Sequence, residues 1–300
     1  MMTYDLCLAW EWNYDTDFVQ LLGAACQGLT LSFLQITPEN LDAILEALLR
    51  SEIRFWAFLD RASDTDKRFY ALAPWVNQPS VYCINPIGFA RQAWNKAKSQ
   101  QTFTEAGIPT PPTIILPSYL ELPNPDPPDL RQLGLCFSIK PAFGGGGKGV
   151  IKQAYTWDQV LVARKEYPSD QYLLQSYINP AIYESHPAWF RVLYCLGEIH
   201  PCWWNPDTHV YKPLSYQEEE RFSLQRLRLI TEQIAQLSKL DLFSTEIAFP
   251  SDGNCYVIDH VNDPIDLRLQ SKAFEGVPDE LVVSMTNHIA QVVAQKIAGR

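Results

Sequence analysis

The run Gly144-Gly145-Gly146-Gly147-Lys148-Gly149 puts five of the chain's fourteen glycines into six consecutive positions. Glycine loses more conformational freedom on ordering than any other residue. A loop built this way serves something that needs bare backbone, and the commonest ligand for bare N–H groups is phosphate. The flanks narrow the fold. Phe137 to Pro141 and Val150 to Tyr155 are strand-like, so the stretch reads as strand, glycine loop, strand. Gly144-x-Gly146-x-x-Gly149 has the dinucleotide spacing, but that fingerprint requires a following helix. A Walker loop ends in Gly-Lys-Ser/Thr, and Gly149-Val150-Ile151 does not supply that ending. The motifs that accompany a protein-kinase glycine flap are absent. A mobile linker is the plain alternative, but linkers are Ser-mixed and lack apolar flanks. The stretch therefore reads as a flap over a nucleotide, with Lys140 placed just before it.

Composition limits the partners. The 300 residues are 47% hydrophobic, enough for about two domains, and carry a formal net charge of −10. An acidic surface argues against nucleic acid and against anionic membrane. Any anion site must then be a local cluster of Lys and Arg. The seven cysteines are odd in number and never spaced as a metal pair, which reads as reduced thiols of a cytoplasmic protein. The start Met1-Met2-Thr3-Tyr4-Asp5 lacks the basic region of a signal peptide. No apolar run approaches membrane-spanning length.

Residues 4–85 alternate strand and helix, which implies a parallel sheet covered on both sides. Strands are expected at Tyr4 to Trp10, Thr30 to Ile36, Ile53 to Leu59 and Val81 to Ile84. A helix is expected between the second and third, with Thr37 as cap and Pro38 at its first position. Ligands of such sheets lie beyond the strands' carboxyl ends, where Trp10, Glu11, Trp12 and Asn13 fall. A packed aromatic turn explains those residues equally well. Residues 86–106 read as one helix, and Pro117 to Asp129, with five prolines, as a loop or stiff spacer. Further on, Gln171 to Ile178 reads as a strand, Trp189 to Trp204 as a hairpin turning at Gly197, Tyr216 to Leu240 as one long helix, and Pro278 to Ala298 as the closing helix.

The most specific inference concerns Phe243 to Phe249 and Cys255 to Val261, two apolar runs around Asp252-Gly253. Asp-Gly is a strong two-residue hairpin signal. Such a turn sets Glu246 directly opposite Asp259, with Cβ atoms about 5 Å apart. Like charges so placed destabilise a sheet unless a cation lies between them or one is protonated. Oxygen-only donors favour Mg²⁺ or Mn²⁺ over zinc. Two solvated surface acids in another register are the alternative.

A lysine before a glycine flap, then an arginine on a strand, then two strand-borne acids and an Asn: in that order the chain resembles the ATP-grasp superfamily over roughly residues 80–263. The likeness is to glutathione synthetase and to the carboxylate–amine ligases that modify ribosomal protein. Asn95-Lys96 ahead of Gly107-Ile108-Pro109-Thr110-Pro111 resembles the family's first nucleotide lysine and its turn. Ile139-Lys140-Pro141 resembles the second lysine, and Gly144, Gly145, Gly146, Gly147, Lys148 and Gly149 the flap. Gln175-Ser176-Tyr177-Ile178 resembles the hinge strand, where Gln175 and the backbone of Ile178 would meet adenine or ribose. Phe190-Arg191-Val192-Leu193 resembles the family's Asp-x-Arg-Val-Leu, although Trp189 stands where many members have Asp. Glu246 and Asp259 resemble the metal carboxylates. The family's acid-x-Asn is stretched here to Asp259-His260-Val261-Asn262. Strand alternation alone would put Asp263 on the face of Asp259, whereas a bulge would restore Asn262.

The resemblance implies an α/β and α+β protein with the ATP-grasp fold: a Rossmann-like N-terminal domain (1–96), a small flap subdomain (97–178) and a C-terminal antiparallel metal-binding subdomain (179–300). It implies ATP and Mg²⁺ (or Mn²⁺), with Lys140 and Arg191 acting on the phosphates. It further implies activation of a small-molecule or peptide carboxylate as an acyl-phosphate, which an amine then attacks. A small-molecule kinase on the same scaffold and a non-catalytic ATP-binding regulator are the other readings. Lys148 reads equally as a phosphate contact or a solvated loop lysine. Glu11, His209, Lys212 and Arg268 are the acceptor-site candidates, and a homodimer is left open.

Overall fold

The structure is a computed structural model that describes residues 1–299. Its first sheet joins β1 (Met2–Trp10), β2 (Phe33–Ile36), β3 (Ile53–Arg61) and β4 (Tyr82–Ile84), all parallel, in the order β2-β1-β3-β4. Alternation along β1 sends Leu6 and Leu8 to one face and Cys7 and Ala9 to the other. Helix α1 (Thr16–Gly28) covers the first face with Phe18, Val19 and Leu22. Helix α2 (Leu41–Leu49) covers the second with Leu41 and Leu48. Two expectations shift here. Strand β2 starts later than Thr30, which lies in a left-handed turn (φ 56°). Helix α2 starts after Asn40, whose side chain accepts from the Thr37 N–H at 2.8 Å, so Pro38 sits in a turn ahead of the helix. The four-residue α3 (Ala73–Val76) precedes β4.

The expected single helix over 86–106 is two, α4 (Ile87–Ala93) and α5 (Lys96–Glu105). Asn95 takes an extended conformation between them, and its side chain caps α5 by accepting from the Lys98 N–H at 3.0 Å. A second, antiparallel sheet follows in the order β5-β8-β6-β7, from β5 (Thr113–Leu116), β6 (Phe137–Pro141), β7 (Ile151–Ala154) and β8 (Tyr172–Ser176), with α6 (Trp157–Ala163) behind it. The proline-rich stretch is not a spacer. It wraps the buried Arg164, whose Nη2 donates to the carbonyls of Pro117, Ser118 and Leu122 at 2.8–3.0 Å.

A two-rung hairpin, β9 (Ile182–Tyr183) and β10 (His186–Pro187), leads into a five-stranded antiparallel sheet. Its order is β13-β12-β11-β14-β15, from β11 (Trp189–Cys195), β12 (Glu198–Trp204), β13 (Tyr211–Pro213), β14 (Leu242–Ala248) and β15 (Tyr256–Asn262). The helix expected over 216–240 is broken into α7 (Tyr216–Arg221) and α8 (Arg226–Ser238), with Ser223 left-handed between them (φ 55°). The closing helix α9 (Asp279–Ala298) places Val282, Met285 and Ile289 in one core with Leu6, Phe18, Leu193 and Leu242. The first and third sheets thus share a hydrophobic interior. Among the described residues no helix is long and apolar enough to cross a membrane.

Candidate active site

The five-stranded sheet carries the charged groups. Trp189, Arg191 and Leu193 point to one face of β11, while Phe190 and Val192 enter the core on the other. Register places Arg191 opposite Glu246, and Glu246 opposite Asp259. The Glu246–Asp259 rung is the one expected, but the turn that makes it is not. Seven residues, Phe249 to Cys255, connect β14 and β15. The pairs nearest that connection are Ala248–Tyr256 and Ile247–Val257. One irregularity then sets Glu246 on Asp259, and a second sets Ser244 on Asn262. Each inserts an extra residue in β15. Since Ser244 and Glu246 share a face, Asn262 is returned to the side of Glu246 and Asp259. Asp263 is engaged elsewhere: its oxygens accept from Asn85 Nδ2 at 2.7 Å and Trp94 Nε1 at 3.1 Å.

Arg191 is held on three sides. Its Nε donates to Ser244 Oγ at 3.1 Å, its Nη1 lies 3.6 Å from Glu246 Oε1, and its guanidinium stands 4.8 Å from the Trp204 ring centre. Burial works against this charge, but Tyr211, Glu246 and Asp259 outweigh it and hold the pKa above the ordinary arginine value. The other Glu246 oxygen accepts from Trp189 Nε1 at 3.1 Å.

Lys140 arrives from β6 of the second sheet. Its Nζ donates to Gln175 Oε1 at 2.7 Å and to the Ile258 carbonyl at 3.1 Å. Burial lowers its pKa, with Asp259 and Glu246 opposing. Gln175 is itself buried and directs its Nε2 toward Gln100 and Thr113. Its amide is committed inside the protein, holding Lys140 where an adenine or ribose contact was expected. Ile178 follows β8 and packs on the core shared by the first and third sheets.

Lys96 opens α5, and its ammonium donates to the carbonyl of Gly144 while its N–H donates to Ala142 at 2.8 Å. Asp170 Oδ2 accepts from the Phe143 N–H at 2.8 Å. The glycine run is thus gripped at its entry. Its exit is crowded: a Cβ on Gly149 would lie 2.5 Å from Tyr167. Gly144, Gly146, Gly147 and Gly149 have φ of +105°, +62°, +72° and +69°. Lys148 is exposed, with no side-chain partner among the described residues. From β7, Lys152 Nζ donates to the Pro206 carbonyl at 2.9 Å and so bridges the flap sheet to the five-stranded sheet.

The acceptor candidates do not all converge. Lys212 pairs with Trp203 on the face away from Arg191, and its Nζ meets Glu218 at 3.3 Å. His209 stacks on Trp204 with ring centres 5.5 Å apart, 3.7 Å from Glu275. Arg268 is claimed by Asp266 through both Nε and Nη2 and lies 4.5 Å from the Tyr14 ring centre. Glu11, beyond β1, accepts from Thr65 at 3.0 Å. Ser244 and Lys152 carry no local signal in the sequence and were not expected at the site. The sequence marked Trp189 as out of pattern without showing its partner.

The sequence matches no protein-family profile and no curated protein. Solved structures do match, over nearly the whole chain. The ATP-grasp ligase PsnB, complexed with minimal precursor, Mg and ADP, is 12% identical with a TM-score of 0.60, covering 99% of each chain. A RimK-domain ATP-grasp protein from Sphaerobacter thermophilus is 17% identical with a TM-score of 0.63, covering 95% of this chain and 98% of that one. D-alanine–D-alanine ligase from Bacillus anthracis, complexed with ATP, is 13% identical with a TM-score of 0.61, covering 97% and 99%. The chain has the ATP-grasp fold.

Proposed function

We propose that this chain is an ATP- and Mg²⁺-dependent ligase that activates a substrate carboxylate as an acyl-phosphate for attack by an amine. One observation carries the reading: Lys140 from one sheet donates to Ile258 of another, next to Asp259 on the rung it shares with Glu246 and Arg191, and the glycine run gripped by Lys96 follows Lys140. Solved structures of the same fold are named as ligases, one holding ATP and one Mg and ADP. Among the described residues no group of three or more His, Cys, Asp or Glu is placed to hold a metal ion. Mg²⁺ is usually bound by one or two carboxylates together with substrate phosphates. Glu246, Asp259 and Asn262 would hold it, and it would offset phosphate charge.

The chain's own groups supply the rest. Lys96 and Lys140 bind and orient the phosphates, and phosphoryl transfer asks for little more than positioning and charge neutralisation. Arg191 stabilises the charge that develops on the transferred group. The glycine flap closes over the site and keeps water from the acyl-phosphate. The acceptor is a small-molecule or peptide carboxylate, with an amine as second substrate. Seven unpaired thiols suit the cytoplasm as the working compartment.

The test is mass spectrometry of a metabolite pool incubated with the protein, ATP and Mg²⁺. A new amide should form together with ADP and free phosphate. A phosphorylated product with ADP and no free phosphate would replace the ligase by a kinase. Bound ATP with neither product would leave a regulator.

A further inference from the structure

We propose that Trp189 is a positioning residue that keeps the Glu246–Arg191 ion pair from closing into direct hydrogen bonds, so that the acid stays available to the metal and the arginine to the phosphates. This rests on the reading of the cleft as a Mg²⁺–nucleotide site. Arg191 and Glu246 are direct cross-strand partners, and their side chains are only 12% and 17% exposed. An arginine and a carboxylate so placed ordinarily close to a bidentate pair at about 2.8 Å. Here the nearest approach is 3.6 Å, beyond hydrogen-bond length.

Two tethers hold them apart. Arg191 is drawn to Ser244 Oγ by its Nε and lies against Trp204. Glu246 is drawn the other way by the Trp189 indole N–H at 3.1 Å, its only hydrogen-bond donor among the described residues. Register explains how the indole reaches it. Trp189 sits opposite Ala248, a small residue two positions from Glu246 on the same face. The space above Ala248 lets the ring lean toward the carboxylate. Trp189 is 8% exposed, so its N–H needs a partner, and among the described residues no other acceptor takes it. Without that N–H, Glu246 would rotate onto Arg191, and both groups would be lost to the ligand.

The experiment is calorimetric nucleotide binding across a Mg²⁺ titration, for wild type, Trp189→Phe, Glu246→Ala and the double variant. Trp189→Phe is expected to raise the Mg²⁺ concentration for half-maximal binding about tenfold, the usual cost of losing a group that orients a metal ligand. In the Glu246→Ala background it should cause no further shift. An unshifted Trp189→Phe curve overturns the proposal, and so does a shift that persists without Glu246. If Trp189→Phe melts early, site-specific benzothienylalanine at 189 replaces the N–H by sulfur in a ring of nearly the same shape and gives the same two outcomes. Wild-type protein that binds no Mg²⁺–nucleotide would sink the site reading itself. Wild-type binding with an unshifted variant sinks only the role of Trp189.

Discussion

Lys140 spans two sheets: its ammonium, carried by β6, donates to the carbonyl of Ile258 on β15 at 3.1 Å. Gln175 Oε1 holds the same nitrogen from behind at 2.7 Å. A half-buried cation aimed at a strand that carries two acids is poised for an anion. Replacing Lys140 by Met keeps most of the stem's packing and removes the charge. Nucleotide affinity should fall about 10- to 100-fold, the range expected for one hydrogen bond to a charged group. The melting temperature should move by only a few degrees. Retained tight binding in a calorimetric titration would remove Lys140 from the site.

The glycine run is not uniformly demanding. Gly149 has a φ of +69°, and a Cβ there would meet Tyr167 Cε2 at 2.5 Å. Gly145 has an ordinary φ and nothing within 4 Å of its added Cβ. Gly149→Ala should therefore force the flap base open and weaken nucleotide binding, through strain of about 1–3 kcal/mol. Gly145→Ala should bind like wild type. Adding Tyr167→Ala to Gly149→Ala should recover part of the loss, since it relieves the clash and leaves the φ strain. Equal behaviour of the two alanine variants in binding assays would contradict this account.

Much of the arrangement was legible because its signals are local. The glycine run, Lys140 on its strand and Arg191 within Phe190-Arg191-Val192-Leu193 can each be read from a few adjacent residues. The facing of Glu246 and Asp259 was also expected, but from a two-residue turn that does not exist. A longer connection and an irregularity within β15 offset one another at that rung. Bulges leave no mark in composition, so the choice between Asn262 and Asp263 waited on the register. Gln175 was expected to face the nucleotide, and only the packing of β6 on β8 shows it turned toward Lys140. The split at Asn95 was available from the sequence, since Asn is a strong cap, but helix formers on both sides of it concealed it. The left-handed break at Ser223 has no comparable signal.

Glu218 gives the fold a pH dependence of its own. Burial pushes its pKa up, but the backbone and hydroxyl of Ser215, with Lys212, outweigh this and hold it at about 2. An acid whose pKa falls on folding favours the native state above its unfolded value and loses that support as pH drops through the folded value. The contribution should be complete above about pH 4.5 and vanish toward about pH 2. Glu218→Gln retains a capping side chain but not the charge. It should cost about 2 kcal/mol at neutral pH in urea titrations, and the gap to wild type should close on acidification through that window. A gap that stays constant with pH would show that the charge contributes nothing.

Arg61 and Asp15 form the most deeply enclosed ion pair among the described residues. Nε and Nη2 reach the two carboxylate oxygens at 2.9 and 2.6 Å, and both side chains are almost wholly buried. Nη2 also donates to the carbonyl of Ile265 at 2.6 Å, just beyond the strand that carries Asp259 and Asn262. The guanidinium therefore ties the first sheet to the segment that follows the candidate metal strand. A buried charge that loses its partner is far costlier than a pair replaced whole. Asp15→Asn should destabilise the protein by about 3–5 kcal/mol in urea titrations. Adding Arg61→Met should recover a substantial part of that loss, because no unpaired charge remains inside. If the double variant is as unstable as the single one, the decisive contact is the one to Ile265, and the pair serves to fasten the two sheets together.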